Sequence, residues 1–418
     1  MQISLHIPEK LTASIALPAS KSVSNRALMI QALCPEKRHN IANLAVCDDT
    51  DHMLQGVEDK RAGAPLVDIG ATGTAMRFLT AYLAITEGET VITGSERMKQ
   101  RPIGTLVEAL RTLGADITYI NKEGYPPLRI RGKRLQGGTL EIEAGISSQY
   151  ISALLMVAPC LTDGLTLHLK GNIASRTYIE LTLDLMRRYG ATAEWTDGQT
   201  IHVSPGTYKD IPLTVEADWS AASYWYELTA IASHLGHDVN ITLPALTPDS
   251  RQGDRVVAQL FEELGVKTDY TKKGARLLNS EFKIQNSELE TLDFTHCPDI
   301  AQTMAVTYCL LGIPFTFSGI HSLRIKETDR VAALIAELKK LGYVLRAEGN
   351  ERLIWDGTRC EAQECPTIAT YDDHRMAMAF APAALCYEHL TIEHPEVVTK
   401  SYPTFWEDLL QLTMDNPL

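Results

Sequence analysis

The sequence predicts an α/β protein of two domains, each built from three pseudo-repeats of about 75 residues. Three observations carry this expectation. At 418 residues the chain exceeds what one hydrophobic core usually supports. Four amphipathic helix patterns end in an apolar residue, a glycine and a new strand pattern: Leu113-Gly114-Ala115, Tyr189-Gly190-Ala191, Leu264-Gly265-Val266 and Leu341-Gly342-Tyr343. Their glycines are 76, 75 and 77 residues apart, and glycine directly after a helix supplies the left-handed cap that other residues adopt at a steric cost. A second series of apolar segments, rich in small residues, begins near Ser22, Gly73, Ser147, Asp218, Asp299 and Asp373, the last five at intervals of 74, 71, 81 and 74 residues.

Each of these segments is apolar nearly all round, so a buried helix is expected at each. The last five are each followed by a short strand pattern: T-V-I, L-T-L-H-L, V-N-I-T-L, F-T-F and L-T-I. A polar loop comes next and, in the middle units, the amphipathic helix. Periods this long do not suit an ordinary solenoid. A pair of three-unit domains does, with a ligand expected in the cleft between them.

Composition narrows the function classes. Hydrophobic residues make up 45% and charged residues 22%, as in ordinary soluble globular chains. The formal charge of −13 makes nucleic acid and anionic lipid poor partners. An anionic substrate would need a local basic cluster. The eight cysteines form no C-x-x-C pair, and no signal-peptide pattern opens the chain, so reduced thiols in the cytoplasm are expected. No apolar run reaches the length of a membrane span.

The chemistry-bearing residues gather at helix starts, where unpaired N–H groups and the helix dipole favour anions. P-A-S-K-S-V-S-N-R puts Lys21, Ser22 and Arg26 at the first; a serine cap with two surface cations is the competing reading. G-A-T-G-T-A-M-R, residues 70–77, suits an anion-cradling loop or a plain glycine turn. It lacks the lysine of a Walker A loop. Ser147, Ser148 and Gln149 could bind phosphate oxygens or merely cap a helix. The polar loops carry further cations: Arg97, Lys99 and Arg101 before a helix expected to begin at Pro102, then S-R-T-Y at 175–178, L-R-I-K-E-T-D-R at 323–330, and Lys400 in T-K-S-Y-P. Cations at helix starts oppose the dipole, and an anionic ligand would reverse that cost. C-P-D-I-A-Q-T-M-A and Y-D-D-H-R-M-A-M-A put Asp299 and Asp373 at the heads of apolar helices, where they could be plain caps. His374 alone reads as a structural histidine; the D-H-R cluster reads as a site.

Taken in order, P-A-S-K-S-V-S-N-R, G-T-A-M-R, R-M-K-Q-R-P-I-G, S-S-Q-Y, K-E-T-D-R, Y-D-D-H-R-M-A-M-A and T-K-S-Y-P-T-F resemble the 5-enolpyruvylshikimate-3-phosphate synthase family along essentially the whole chain. Each motif alone is weak, and seven in order at family spacing are highly specific. The resemblance implies two inside-out α/β barrel domains of three repeats each. One would be discontinuous, residues 1–19 plus 217–418, and the other inserted, residues 20–216, with the site in the cleft between them. It implies transfer of the enolpyruvyl group of phosphoenolpyruvate to the 5-hydroxyl of shikimate 3-phosphate. Phosphate leaves through a tetrahedral intermediate not covalently attached to the enzyme. Neither cofactor nor metal is implied, and the family suggests a monomer.

Residue roles follow from the same resemblance. Ser147, Ser148 and Ser175 would hold the shikimate phosphate, with Tyr178 beside them. Ser22 and Arg26 would hold the carboxylate end, Gln149 and Lys326 further polar atoms, and Lys21, Ser322 and Asp299 would also bind shikimate 3-phosphate. Lys21, Arg101, Gln149, Arg330, Arg375 and Lys400 would surround phosphoenolpyruvate, with Gly73 letting the backbone approach. Asp299 would act as general base. Glu327 would protonate the methylene carbon, with Lys400 or His374 as rivals, and Lys21 joins this catalytic set. Two phosphates and two carboxylates meet only in a dense cationic site, where electrostatic stabilisation of the charged intermediate is the larger contribution. The sequence departs from the family's usual Asn at Ala71, Pro at Phe78 and Asn at Ser322. The first two leave sensitivity to glyphosate, which competes with phosphoenolpyruvate, open.

Three rivals are weaker. The related transferase acting on UDP-N-acetylglucosamine commonly carries a reactive cysteine in the loop matching residues 94–102, and none is present. A non-catalytic anion binder would be expected to have lost Asp299, Glu327 or Lys400, and all three remain. An RNA-processing relative is disfavoured by the charge of −13. Within the 323–330 stretch, Lys326 and Arg330 share a face if that turn is helical, and Thr328 or Asp329 is the expected cap.

Overall fold

The computed structural model describes residues 1–145, 147–284 and 290–413. The chain divides into two units: Ala19–Val215, and Met1–Pro18 together with Glu216–Leu418. In the first, helices follow in the order α1 (Lys21–Ala32), α2 (Asp48–Arg61), α3 (Gly73–Ile85), α4 (Gly104–Thr112), α5 (Ser148–Val157) and α6 (Arg176–Arg188). In the second they are α7 (Trp219–His234), α8 (Val257–Glu263), α9 (Ala301–Leu310), α10 (Arg330–Lys340), α11 (His374–Phe380) and α12 (Phe405–Leu410). No helix among the described residues is long and apolar enough to cross a membrane.

One arrangement recurs in both units: strand, buried helix, parallel strand, second helix, then a hairpin back onto the sheet. Leu66–Asp68 and Gly88–Thr93 pair in parallel across α3, and Leu128–Gly132 and Asp116–Tyr119 extend the sheet antiparallel. Gly138–Glu143 and Leu165–Lys170 do the same across α5, followed by Thr200–Val203 and Ala193–Trp195. In the second unit Lys10–Ser14 and Asp238–Pro244 are the parallel pair, beside Gly274–Phe282 and Leu264–Thr271. Glu290–Asp293 and Phe315–Ser318 pair across α9, beside Arg352–Trp355 and Arg346–Glu348. Parallel neighbours need a crossover, and the buried helix lies in it; between Lys10–Ser14 and Asp238–Pro244 the connection also includes the whole of Ala19–Val215.

Composition explains which helix goes inside. In α3 only Thr74 and Ile85 escape burial, and in α9 only Leu310 does. Each has core on every side and needs no polar face. The second helices are amphipathic: α10 buries Val331, Ala333, Leu334 and Leu338 and ends on Lys339 and Lys340, which suit the negative end of its dipole. In the second unit α7 packs on α9 and α9 on α11. Trp219, Trp225 and Phe405 anchor that core.

Three helix-ending glycines, Gly114, Gly190 and Gly342, have φ of 98°, 87° and 89°, and each amide bonds back into its helix. Gly265 differs. α8 ends at Glu263 and the next strand starts at Leu264, so Gly265 (φ 80°) lies at an irregularity where the pairing with Gly274–Phe282 shifts register. Pro102 also departs from expectation, because α4 begins at Gly104. Arg101 before it is extended, as a residue preceding proline prefers. The Pro102 carbonyl is taken by Arg77 Nη2 and the Tyr150 hydroxyl, both at 2.6 Å.

Candidate active site

In the second unit a charged cluster forms where the starts of α9, α10 and α11 converge. Asp329 caps α10 by accepting from the Ala332 N–H at 3.0 Å, which leaves Arg330 as first helical residue pointing inward, 2% exposed. Its guanidinium donates from Nε to Asp373 Oδ2 at 2.7 Å, from Nη1 to Asp299 Oδ1 at 3.1 Å and from Nη2 to Glu327 Oε2 at 3.0 Å. Burial lowers the Arg330 pKa, and the three carboxylates more than offset it, so it is held above the ordinary arginine value.

The two acids at helix heads do different things. Asp373 caps α11, accepting from the Arg375 N–H at 2.9 Å. Asp299 is not the cap residue of α9, whose cap position is Ile300. It lies in a 3-10 turn, Pro298–Ile300, before α9, and its carboxylate stands 3.3 Å from Arg375 Nη2 and 3.5 Å from Lys326 Nζ as well as near Arg330. Its carbonyl accepts from Arg375 Nη1 at 3.0 Å. Glu327 lies between Arg330 and Lys400 Nζ, the latter at 3.6 Å. His374 is buried with Nδ1 3.7 Å from Asp373 Oδ1. Ser322 is buried in the turn His321–Ile325. Lys326 and Arg330 do not share a helical face, because Lys326 ends that turn in extended conformation and α10 begins only at Arg330. Both reach Asp299 Oδ1 regardless.

Four cations, Lys326, Arg330, Arg375 and Lys400, thus face three acids, Asp299, Glu327 and Asp373. The excess is one positive charge in a chain of net −13. Asp254 stands beside this cluster. Ser220 Oγ donates to its carboxylate and is 3.5 Å from Arg375 Nη2. Burial first, then the negative charge of Asp299, pushes the Asp254 pKa up to about 7, against the pull of Arg375.

In the first unit the starts of several helices meet. Gln149 Nε2, in the first turn of α5, is 3.4 Å from Thr74 Oγ1, in the first turn of α3. Arg26 ties α1 to α5 and α6: it donates to Thr182 Oγ1 at 2.7 Å, Ser152 Oγ at 3.3 Å and the Ser22 carbonyl at 3.0 Å. It also lies over the rings of Phe78 and Tyr178. Burial pulls its pKa down to about 10, so it stays protonated at neutral pH. Ser147 caps α5 through the Gln149 N–H, and Ser148 is buried beside it. Ser175 precedes α6 in the left-handed region at φ 54°. Lys21, first residue of α1, is 2.8 Å from Asp49 of α2.

Arg101 packs on the start of α3. A Cβ at Gly73 would stand 2.7 Å from Arg101 Nη1, so the missing side chain is what admits the guanidinium. Arg77 is a brace: it joins the Gly73 carbonyl (3.2 Å) to that of Pro102. Lys99 pairs with exposed Glu96 at 2.7 Å. Sequence reasoning missed Asp49, Ser220 and Asp254. Asp49 lies in C-D-D-T-D, where acids at a helix start suit the dipole and so draw no attention.

Comparison with known proteins adds a consistent result. The family model described as EPSP synthase (3-phosphoshikimate 1-carboxyvinyltransferase) matches residues 5–64 and 59–409. The 3-phosphoshikimate 1-carboxyvinyltransferase of Bacteroides fragilis strain YCH46 is 52% identical over 409 residues, covering 98% of this chain and 97% of that one. The protein of that name from Photobacterium profundum is 37% identical over 437 residues, covering 98% and 99%. The solved EPSP synthase of Acinetobacter baumannii superposes with a TM-score of 0.74 at 21% identity, covering 99% of each chain, and so supports the α/β fold.

Proposed function

The chain belongs to the EPSP synthase family, and on that premise we propose that it is a 3-phosphoshikimate 1-carboxyvinyltransferase of the shikimate pathway. The observation that carries the reading is the full-length relationship, at 52% identity, to a protein of that name. The 5-hydroxyl oxygen of shikimate 3-phosphate adds to C2 of phosphoenolpyruvate while a proton reaches C3. The C2–O bond to phosphate then breaks as a proton leaves the new methyl group, giving the enol ether and inorganic phosphate.

Roles are assigned as follows. Asp299 takes the 5-hydroxyl proton, and the cations around it favour the negative charge that develops as the oxygen attacks. Glu327, with Lys400 at 3.6 Å, handles the proton at C3; His374 is the alternative donor. Arg330, Arg375 and Lys400 hold phosphoenolpyruvate, whose carboxylate and phosphate are drawn to their positive charge. Lys21, Arg101, Gln149 and Gly73 are assigned to phosphoenolpyruvate as well. Ser147, Ser148 and Ser175 take the shikimate phosphate, Ser22 and Arg26 its carboxylate end, and Gln149 and Lys326 further polar atoms, with Lys21, Tyr178 and Ser322 as further shikimate 3-phosphate contacts. The two units are read as the two domains. The four sheets with one strand order are read as four of six pseudo-repeats in an inside-out barrel pair, a reading their shared topology supports.

The test is phosphate release. Purified protein should release phosphate from phosphoenolpyruvate only when shikimate 3-phosphate is present. Equal turnover with UDP-N-acetylglucosamine, or none with either acceptor, would sink the reading.

A further inference from the structure

Glu337 lies on α10 two turns beyond Arg330 and is 1% exposed, an unusual place for a carboxylate. Its partners all lie on, or reach, the segment that leads into the Asp373–Arg375 cluster. Oε1 accepts from the Tyr371 hydroxyl at 2.7 Å. Oε2 accepts from the Ala369 N–H at 3.0 Å and from Lys340 Nζ at 2.6 Å. Lys340 Nζ in turn donates to the Thr367 carbonyl at 2.7 Å.

The segment so held is strained. Tyr371 and Asp372 have φ of 54° and 55°, two consecutive residues with side chains in the left-handed region. Single residues visit that region at a cost, and a pair persists only where the surroundings hold it. The next residue, Asp373, swings back to φ −112° and caps α11. Its carboxylate meets Arg330, at the start of the same helix that carries Glu337. α10 therefore grips residues 367–373 at two points, through Glu337 at Ala369 and Tyr371 and through Arg330 at Asp373.

We propose that Glu337 is a positioning residue for the reaction. By fixing the left-handed pair it sets the direction in which Asp373, His374 and Arg375 enter the cluster. The proposal rests on the reading above that Arg375 and Arg330 bind phosphoenolpyruvate. Without Glu337 the turn can relax, α11 starts in another direction, and Arg375 loses its place on Asp299.

The experiment compares Glu337→Gln, Tyr371→Phe and Arg375→Ala in the full-length enzyme, each checked for folding by circular dichroism. Glu337→Gln should raise the KM for phosphoenolpyruvate about tenfold, while binding of shikimate 3-phosphate alone stays within about twofold. Tyr371→Phe removes one of the contacts and should act in the same direction, about two- to fourfold, so the proposal remains testable should Glu337→Gln not fold. A merely structural Glu337 would lower the unfolding temperature and leave the constants of the folded enzyme unchanged, which would overturn the proposal. Arg375→Ala separates the two failures. If it raises the KM and the other two variants do not, the positioning role is wrong; if it leaves the KM unchanged as well, the assignment of the binding site is wrong.

Discussion

The Asp373 carboxylate grips the Arg330 guanidinium with both oxygens, Oδ2 to Nε at 2.7 Å and Oδ1 to Nη2 at 3.3 Å. Both side chains are essentially removed from solvent, at 0% and 2% exposure. Such a fork fixes orientation as well as charge. Asp373→Asn keeps an oxygen for capping α11 but removes the charge from a buried pair. A loss of about 3–5 kcal/mol in urea unfolding is expected. A loss below about 1 kcal/mol would mean that Asp299 and Glu327 suffice for Arg330.

Asp299→Ala should keep substrate binding and lose most turnover. The base is gone, while the cations that bind anions remain. A fall in kcat of about 10²- to 10⁴-fold is expected in the phosphate-release assay, with binding of shikimate 3-phosphate by fluorescence titration nearly unchanged. Unchanged turnover would remove Asp299 as base.

Gly73→Ala should fold. The added Cβ meets the far end of the Arg101 side chain, which can move, not rigid backbone. Moving it displaces a cation assigned to phosphoenolpyruvate. The KM for that substrate should rise about tenfold, a cost of roughly 1.4 kcal/mol, with stability within about 1 kcal/mol of the parent. An unchanged KM would separate Arg101 from the substrate.

Asp254 gives a pH dependence with a definite sign. Its folded pKa of about 7 lies above the ordinary value of 3.8, so the folded state holds a proton that the unfolded state releases between those limits. Its stabilising effect is complete below about pH 4 and is lost as pH rises through about 7. Asp254→Asn mimics the protonated form at every pH. The variant should gain stability relative to the parent from pH 4 to 7, on the order of 2–4 kcal/mol across the range, in denaturant midpoints taken at each pH. A difference that is flat with pH would place the Asp254 titration at its ordinary value.

α3, α5 and α7 start at Gly73, Ser148 and Trp219, within one residue of where the apolar segments begin, and the five short strand patterns are strands. These features depend on near neighbours: a cap, a run of apolar residues, a glycine at positive φ. Exceptions came where a distant group intervened. Pro102 lies outside α4, with its carbonyl accepting from Arg77 and Tyr150, and Gly265 marks a register shift rather than a helix end.

The sequence by itself determined which residue types are available to the site and the family they belong to. It placed Arg330, Asp299, Asp373, Arg375 and Lys400 at helix starts and loops, without their partners. Only the tertiary structure decided that Arg330 joins Asp299, 31 residues away, and Asp373, 43 residues away, and that Arg375 reaches back 76 residues to the Asp299 carbonyl. It also brought in Asp49, Asp254 and Glu337, acids that local patterns treat as solvated or capping charges. The reason is physical. Helix and strand formation are decided over a few residues, whereas the worth of a charge is decided by burial and by whichever opposite charge the fold brings within about 4 Å.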